Sequence, residues 1–225
     1  MASFSTHLSF GIAFGALAVV AVFALSLVPP SWTFPILIFL SAVVAAILPD
    51  LDSDTGVPFH LTFGSLALAA AGVVFWAVIR ASSDAYATAT LAAAGALFLV
   101  WVVFGAVFKK LTKHRGMAHS VPAAALGALV LFSVAVRAGL EPWPSFLLGV
   151  AFLGGYLLHL VLDEAVSAVN FPGKPFVPNA ALGSALKFRS GRGAVDAAVY
   201  AAIAFLVLGN GGTLLAFARR LLDAL

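Results

Sequence analysis

The 225-residue sequence contains no cysteine and little charge of either sign. Without cysteine the chain cannot form disulfides, thiolate metal sites or a cysteine nucleophile, so any metal must be bound by histidine, carboxylates and water. Charged residues make up 9% of the chain, against roughly 25% in ordinary globular domains. Together with 63% hydrophobic residues and a mean hydropathy of +1.11, this excludes a soluble domain, a disordered chain and a coiled coil.

The sequence contains several long apolar runs. A helix needs roughly 20 apolar residues to cross a bilayer. The approximate candidates are Leu8–Val28, Thr33–Leu48, Leu61–Ile79, Ala87–Phe108, His119–Ala138, Phe146–Val166 and Ala194–Phe217. These runs lack the period-two alternation of a membrane barrel. We therefore predict an all-α, polytopic membrane helix bundle of about seven transmembrane helices, built as a single domain over residues 1–225.

The distribution of basic residues predicts the orientation. Met1–Ser5 contains no Lys or Arg and so does not resemble the start of a cleavable signal peptide. If the N-terminus is cytoplasmic, the inside connections carry Lys109, Lys110, Lys113, Arg115, Lys174, Lys187, Arg189 and Arg192, and the outside segments carry Arg80, Arg137, Arg219 and Arg220. This bias favours a cytoplasmic N-terminus in the cytoplasmic (inner) membrane, and it accounts for the net charge of +3 without nucleic-acid binding. The pair Arg219–Arg220 opposes it, so the direction of the last span stays open.

Most histidines and aspartates gather at one membrane face of this topology. They are His7, Asp50, Asp52, Asp54, His114, His119, His159 and Asp163. The opposite face holds only Asp84, Glu141 and Asp223. Polar residues with unrelated structural roles would have no reason to segregate in this way, and ionisable groups at membrane depth are costly. The segregation therefore favours a functional site.

The spacing within two of these groups suits metal binding. His159 and Asp163 lie four residues apart, on one face of a helix. Asp50 and Asp52 follow Pro49, where the helix must end, so both carboxylates can turn toward one point. Imidazole and carboxylate ligands without sulfur suit Zn²⁺, Mn²⁺, Fe²⁺ or Mg²⁺, and the number of histidines favours the first three.

The third group, His114-Arg-Gly-Met-Ala-His119, needs a bend. Five residues on a continuous helix would place the two imidazoles about 140° apart, so we expect Gly116 to let both face inward. Each group also has a structural interpretation when taken alone. His159 could be a hydrogen-bonded packing residue, the aspartates a solvated loop, and Lys109–Arg115 a membrane anchor. His60 is interpreted as an interfacial residue at the start of a helix.

The order of these motifs resembles a known family. His7, Pro49-Asp-Leu-Asp52, His114-Arg-Gly-Met-Ala-His-Ser120 and His159-Leu-Val-Leu-Asp163 are similar to the motifs of the YdjM-like group over Thr6 to Asp163. These are inner-membrane proteins for which metal-dependent hydrolase activity has been suggested, and some carry a LexA-binding label. Ala118 and Ser53 depart from the family pattern, which often has Thr and His there. The chain after Asp163 matches the pattern poorly.

The YdjM-like group is in turn distantly similar to zinc-dependent phospholipase C. That resemblance implies a multinuclear His/Asp metal cluster and hydrolysis of phosphoester bonds, with a lipid substrate in the bilayer. Our first hypothesis is therefore a membrane-bound phosphoesterase with two or three divalent ions, zinc foremost. The metal ligands would be His7, Asp50, Asp52, His114, His119, His159 and Asp163. Asp52 would bridge the metals or act as general base, and Arg115, Lys187, Arg189 and Arg192 would bind the substrate.

Two other functions fit parts of the sequence. A metal-ion or proton transporter would use intramembrane His and Asp, but these residues cluster at one end and no internal repeat occurs. A non-catalytic regulator would bind a soluble partner through the basic loops, as the LexA-binding label implies, but that role leaves the ligand set unexplained. Neither the substrate nor the oligomeric state follows from the sequence.

Overall fold

The computed structural model describes residues 2–28, 33–52, 57–82, 84–111, 116–169, 177 and 182–223. Every regular element in these ranges is helical, and none is a strand. The α-helices are α1 (Phe4–Ala24), α2 (Thr33–Ile47), α3 (Val57–Ala81), α4 (Tyr86–Phe98), α5 (Gly105–Leu111), α6 (Val121–Arg137), α7 (Pro142–Val169), α8 (Gly193–Gly209) and α9 (Gly211–Asp223). A 3-10 helix, Leu48–Asp52, follows α2, and a π-helical stretch, Leu99–Phe104, joins α4 to α5.

Among the described residues, five helical segments are long and apolar enough to cross a membrane. They are Phe4–Ala24, Thr33–Leu51, Phe59–Ala81, Tyr86–Phe108 and Pro142–Val169. A sixth is formed if the bent pair α8 and α9 counts as one span, and α6 is a shorter apolar helix of 17 residues. The predicted all-α membrane bundle is confirmed, and the predicted number of about seven spans is approximate.

Several helices begin at other residues than predicted, among them α3 at Val57 and α7 at Pro142, and for α1 and α6 a serine cap decides the start. Ser3 accepts a hydrogen bond from the backbone N–H of Thr6 at 3.2 Å, so α1 begins at Phe4 rather than at Leu8. His7 consequently lies inside the helix. Ser120 caps α6 through the N–H of Ala123 at 3.3 Å, so the helix begins at Val121. The predicted start at His119 is wrong because Ser120 is a far better cap than a first-turn residue.

The last predicted span, Ala194–Phe217, is not one straight helix. It breaks at Asn210, where α8 and α9 meet at an angle of 70°. The Asn210 amide donates to the carbonyl of Leu206 at 2.7 Å and to Oγ of Ser133 at 2.8 Å. Glycines on both sides of Asn210 weaken the helix there, because glycine loses more backbone entropy than other residues on becoming helical. The break therefore follows from local sequence and from a bond to α6.

The described chain divides into two compact units, residues 1–49 with 115–225 and residues 50–114. In the first unit α7 packs against α2 and α6, and α1 packs against α2. Small residues allow these approaches: a Cβ at Gly155 would overlap the carbonyl oxygen of Ala42, and one at Gly11 would lie 2.7 Å from Cβ of Ala46. Close backbone approach of this kind maximises van der Waals packing where lipid offers no hydrophobic driving force.

The second unit consists of α3 and of the helical run from α4 to α5. Aromatic side chains fill the spaces left by glycines. Phe59 lies 2.9 Å from the position of a Cβ on Gly105, and the ring of Trp101 lies 3.2 Å from that on Gly64. The rings of Phe59 and Phe63 stack with centroids 4.6 Å apart. The prediction of a single domain over residues 1–225 stays a prediction.

Candidate metal centre

Two side chains of α7 form the base of the site. His159 and Asp163 are four residues apart and point to the same side of the helix, with Nε2 of His159 3.8 Å from Oδ2 of Asp163. Both are almost fully buried. The helix extends one unbroken turn between them because Leu, Val and Leu intervene, with no glycine or proline. The spacing read from the sequence therefore corresponds to a real juxtaposition.

The ring of His159 is held in one orientation by α2. Its Nδ1 lies 2.8 Å from the carbonyl oxygen of Ala46. A carbonyl can only accept, so Nδ1 carries the hydrogen, and in the neutral ring Nε2 then has the lone pair that a metal needs. A backbone carbonyl is a usual partner for the second nitrogen of a metal-binding histidine. The contact thus fixes both the tautomer and the direction of the ring.

The N-terminal segment contributes His7, on α1, and the backbone of Ala2, just before it. The ring of His7 stacks on that of His159 with centroids 3.7 Å apart, and its Nε2 lies 3.3 Å from Oδ1 of Asp163. The N–H of Ala2 donates to the same oxygen at 2.9 Å. Oδ1 of Asp163 is therefore engaged from α1, which leaves Oδ2 directed at the other histidines.

His119 reaches the site from the segment that precedes α6. Its Nε2 lies 4.0 Å from Oδ2 of Asp163, and its side chain is buried. The hydroxyl of Tyr156, one turn before His159 on α7, donates to the carbonyl of Ala118. The hydroxyl of Ser120 donates to the carbonyl of Met117 at 2.6 Å. The backbone on both sides of His119 is thus fixed by hydrogen bonds.

Asp50 belongs to the same group of residues and lies on the segment that follows α2. It is bonded to Pro49, the last residue of the first unit, and lies on the 3-10 helix Leu48–Asp52. One ligand atom from each of four buried side chains lies within 4.8 Å of the other three. The four are Asp50, His119, His159 and Asp163, and this group could hold a metal ion.

The donor set fits a divalent metal. Two imidazoles and two carboxylates are ligands of Zn²⁺ and of its first-row neighbours. Two ligands that bind one zinc ion tetrahedrally at about 2.0–2.1 Å lie about 3.4 Å apart, close to the separations around Asp163. Among the described residues no hydrogen bond reaches Oδ2 of Asp163. Two buried carboxylates repel each other, and a cation between them would offset that repulsion.

Other residues predicted for the site are located only in part. His114 and Arg115 lie outside the described residues, as does Asp54. Asp52 ends the 3-10 helix, and only its backbone is described. His7 touches Asp163 but is not one of the four residues whose ligand atoms all lie within 4.8 Å. His60 is exposed on α3, where its ring meets the edge of Phe59, in agreement with a structural role.

The basic residues that were predicted to bind the substrate lie on a loop, and this loop returns to the start of α6. The N–H of Val121 donates to the carbonyl of Lys187 at 3.0 Å. Lys187 is half-buried, and Arg189 and Arg192 are exposed. The backbone of Lys187 is thus joined by one hydrogen bond to the residue two positions after His119.

Comparison with known proteins decides the family. The family described as YdjM inner membrane protein matches residues 1–217. The chain belongs to this family. No curated protein and no solved structure matches it. The YdjM match extends beyond Asp163, where the motifs had ended, and it includes the basic loop and α8. Together with its apolar helices, it makes this YdjM protein a multi-pass membrane protein of an inner-membrane family, surrounded by a lipid bilayer.

Two residues that form hydrogen bonds to segments next to the site of this YdjM-family chain were not predicted from the sequence. Tyr156 supports the segment that carries His119, and Glu164 binds the loop that carries the cations. Tyr156 lies three residues before His159 and seven before Asp163, so helical spacing could have placed it on the ligand face. Glu164 directly follows a ligand, and nothing in the spacing distinguishes it from a solvent-facing residue.

Proposed function

We propose that this YdjM-family protein is a metal-dependent hydrolase of phosphoester bonds in a lipid or lipid-linked substrate. The observation that carries the proposal is the buried group of Asp50, His119, His159 and Asp163, whose ligand atoms lie within 4.8 Å of one another. Such a group is expensive in a membrane protein unless it binds something. The resemblance of the motifs to those of zinc-dependent phospholipase C suggests that the reaction is hydrolysis of a phosphoester bond.

The proposed roles follow from the chemistry of the side chains. The four buried residues would hold one divalent ion, and His7, Asp52 and His114 would complete sites for a second or third. When bound, the metal supplies Lewis acidity and lowers the pKa of a water ligand toward neutrality. Asp52 would accept the proton of the attacking water as general base.

Arg115 would bind the phosphate with its planar guanidinium, which matches two phosphate oxygens at once. Lys187, Arg189 and Arg192 would attract the anionic headgroup from the membrane surface. An active site mounted on membrane helices also suits a substrate that diffuses within the bilayer. We place this site at the cytoplasmic face, because the basic loops favour a cytoplasmic N-terminus.

Metal content is the first test. The untagged protein would be purified in detergent without chelator, and its metals quantified by mass spectrometry beside His119→Ala, His159→Ala and Asp52→Ala. His60→Ala is the matched control, because it removes an exposed imidazole elsewhere. We expect two or three ions per chain, lost in the site variants and kept in the control. Phosphomonoester and phosphodiester lipids would then be screened as substrates with the metal-loaded protein.

The same experiment separates the rival functions. If zinc or manganese is supplied and no metal binds, the hydrolase proposal is overturned. If metal binds but every phosphoester survives prolonged incubation, transport of the ion in liposomes becomes the leading interpretation. A regulator would bind its soluble partner equally well with and without the metal ligands.

A further inference from the structure

Glu164 makes an unusual set of contacts for a residue on a membrane helix. Its Oε1 accepts the N–H of Ala185 at 2.6 Å and that of Leu186 at 3.2 Å, and its Oε2 accepts the N–H of Gly183 at 2.7 Å. Three backbone donors of one short loop thus converge on a single carboxylate. Hydrogen bonds to an ionised acceptor are stronger than those between neutral groups. Glu164 therefore holds this loop firmly to α7.

The loop is joined to the metal centre at two points. Glu164 is bonded to Asp163, so the first point directly follows a candidate ligand. The second is the bond from the N–H of Val121 to the carbonyl of Lys187, two residues after His119. A shift of the loop would have to break one of these contacts. Its place is therefore set by the same two segments that carry Asp163 and His119.

Side chains of α8 hold the remainder of the loop. The N–H of Ser190 donates to Oδ1 of Asp196 at 2.7 Å, and the hydroxyl of Tyr200 donates to the carbonyl of Phe188 at 2.9 Å. The segment Lys187–Arg192, which contains both of these anchored residues, carries three basic residues and no acidic one. The fold thus builds an ordered basic segment, defined here as Lys187–Arg192, beside the candidate metal centre.

Three N–H groups of the loop are already bound to Glu164 and are not available to a ligand. Backbone N–H groups that converge within one loop commonly form an anion site. Here the carboxylate of Glu164 already occupies that position, which leaves the side chains of the basic segment as the charged groups that can bind an anion. Lysine and arginine on a fixed backbone lose less entropy when they bind a phosphate than they would on a flexible one.

We propose that Glu164 is a positioning residue for substrate binding: it fixes the basic segment at the metal centre so that Lys187 and Arg189 bind a phosphate group. The proposal rests on the proposed function, because it assumes a phosphate-containing substrate. Glu164 itself touches neither metal nor substrate. Its effect passes through the loop.

The test measures phosphate binding to the full-length, metal-loaded protein in detergent. Two probes are titrated calorimetrically, inorganic phosphate and a short-chain phosphatidic acid. The variants are Glu164→Ala, Glu164→Gln, Lys187→Ala with Arg189→Ala, and their combination with Glu164→Ala. Glu141→Ala is the matched control, because it removes the only other glutamate, at the opposite end of α7. Metal content is measured in every sample.

We expect Glu164→Ala to weaken phosphate binding at least about tenfold, while metal content and the Glu141→Ala control stay unchanged. Glu164→Gln keeps one oxygen that can accept the loop's N–H groups, so we expect it to lose less phosphate affinity than Glu164→Ala. In the Lys187→Ala, Arg189→Ala background, Glu164→Ala should cause no further loss, which a general effect on folding would not reproduce. Trypsin should cleave after Lys187 and Arg189 faster in Glu164→Ala than in the wild type, because the loop is released. Should Glu164→Ala not fold, Glu164→Gln carries the same comparison.

The outcomes separate this proposal from the proposed function. Metal-loaded wild type that binds neither probe would overturn both. Binding that survives Glu164→Ala, or a further loss in the combined variant, would overturn the role of Glu164 alone. Loss of metal in Glu164→Ala would show that the residue acts on the metal centre itself and not through the loop. Binding of phosphatidic acid without inorganic phosphate assigns the site to a lipid headgroup, and binding of both assigns it to phosphate itself.

Discussion

His159 donates from Nδ1 to the carbonyl oxygen of Ala46, and this bond across α7 and α2 sets the geometry of the candidate metal centre. It can form because Gly155, one turn earlier, brings α7 against the backbone of α2 at Ala42. The orientation of the His159 ring therefore depends on the close packing of α7 against α2. A change that separates the two helices should disturb the metal centre even if every ligand is retained.

This coupling gives the first prediction, for Gly155→Ala. The added methyl would overlap the carbonyl oxygen of Ala42, and overpacking of this kind costs about 1–3 kcal/mol. We expect a lower melting temperature in detergent and weaker metal binding. Gly72→Ala on α3 is the control, since within the described part of the chain no atom beyond its own stretch of helix lies within 4 Å of the position of its Cβ. A helix-interior Gly→Ala change gains about 0.5–1 kcal/mol, so the control should melt at the same or a higher temperature.

Tyr156→Phe should weaken metal binding without removing a ligand. The change deletes the hydroxyl that donates to Ala118, next to His119. Loss of an outer partner of this kind typically costs 10–100-fold, about 1.4–2.8 kcal/mol, in metal affinity. Competition with a chromogenic chelator would measure the affinity, and Tyr86→Phe, at an exposed tyrosine of α4, is the control. Equal affinities in the two variants would contradict the role assigned to Tyr156.

Metal removal should lower thermal stability. A ligand present at 100 times its dissociation constant stabilises the folded state by about 2.7 kcal/mol. We expect the melting temperature of the wild type to fall with chelator and to recover when zinc or manganese is returned. Asp163→Asn removes the carboxylate that three histidines approach, so its melting temperature should not respond to metal. A variant that responds as the wild type does would exclude Asp163 as a ligand.

The absence of cysteine allows a clean test of topology. Phe217 of α9 packs on Trp143 at the start of α7, with ring centroids 5.7 Å apart. We therefore expect single cysteines at Arg219 and Glu141 to react with a membrane-impermeant maleimide from the same side of the membrane. A cysteine at Arg189, at the far end of α7 and α8, should react from the other side. If Arg219→Cys and Arg189→Cys are both labelled from the same side of the membrane, α8 does not cross the membrane.

The nature of the fold and the pairing within α7 could be predicted from the sequence. Apolar runs of span length leave the backbone in lipid no alternative to helix, and that constraint acts on each segment separately. The spacing of His159 and Asp163 needs only the geometry of one helix. His7, Asp50 and His119 were expected near them because successive spans alternate in direction across the membrane. That alternation follows from the order of the spans along the chain. Those inferences used local rules. In the structure His7 contacts Asp163, and ligand atoms of Asp50 and His119 lie within 4.8 Å of those of His159 and Asp163.

Only the tertiary structure decided which atoms face each other. The sequence predicts that Gly116 lets the backbone bend so that His114 and His119 both face inward; His114 lies outside the described residues, and the structure shows that α6 begins after His119, where Ser120 caps it. The break at Asn210 depends on a bond to Ser133, 77 residues away along the chain. Glu164 and its loop are likewise joined across about 20 residues. Composition and periodicity determine helices and the faces they bury, whereas contacts between distant segments depend on how those faces pack.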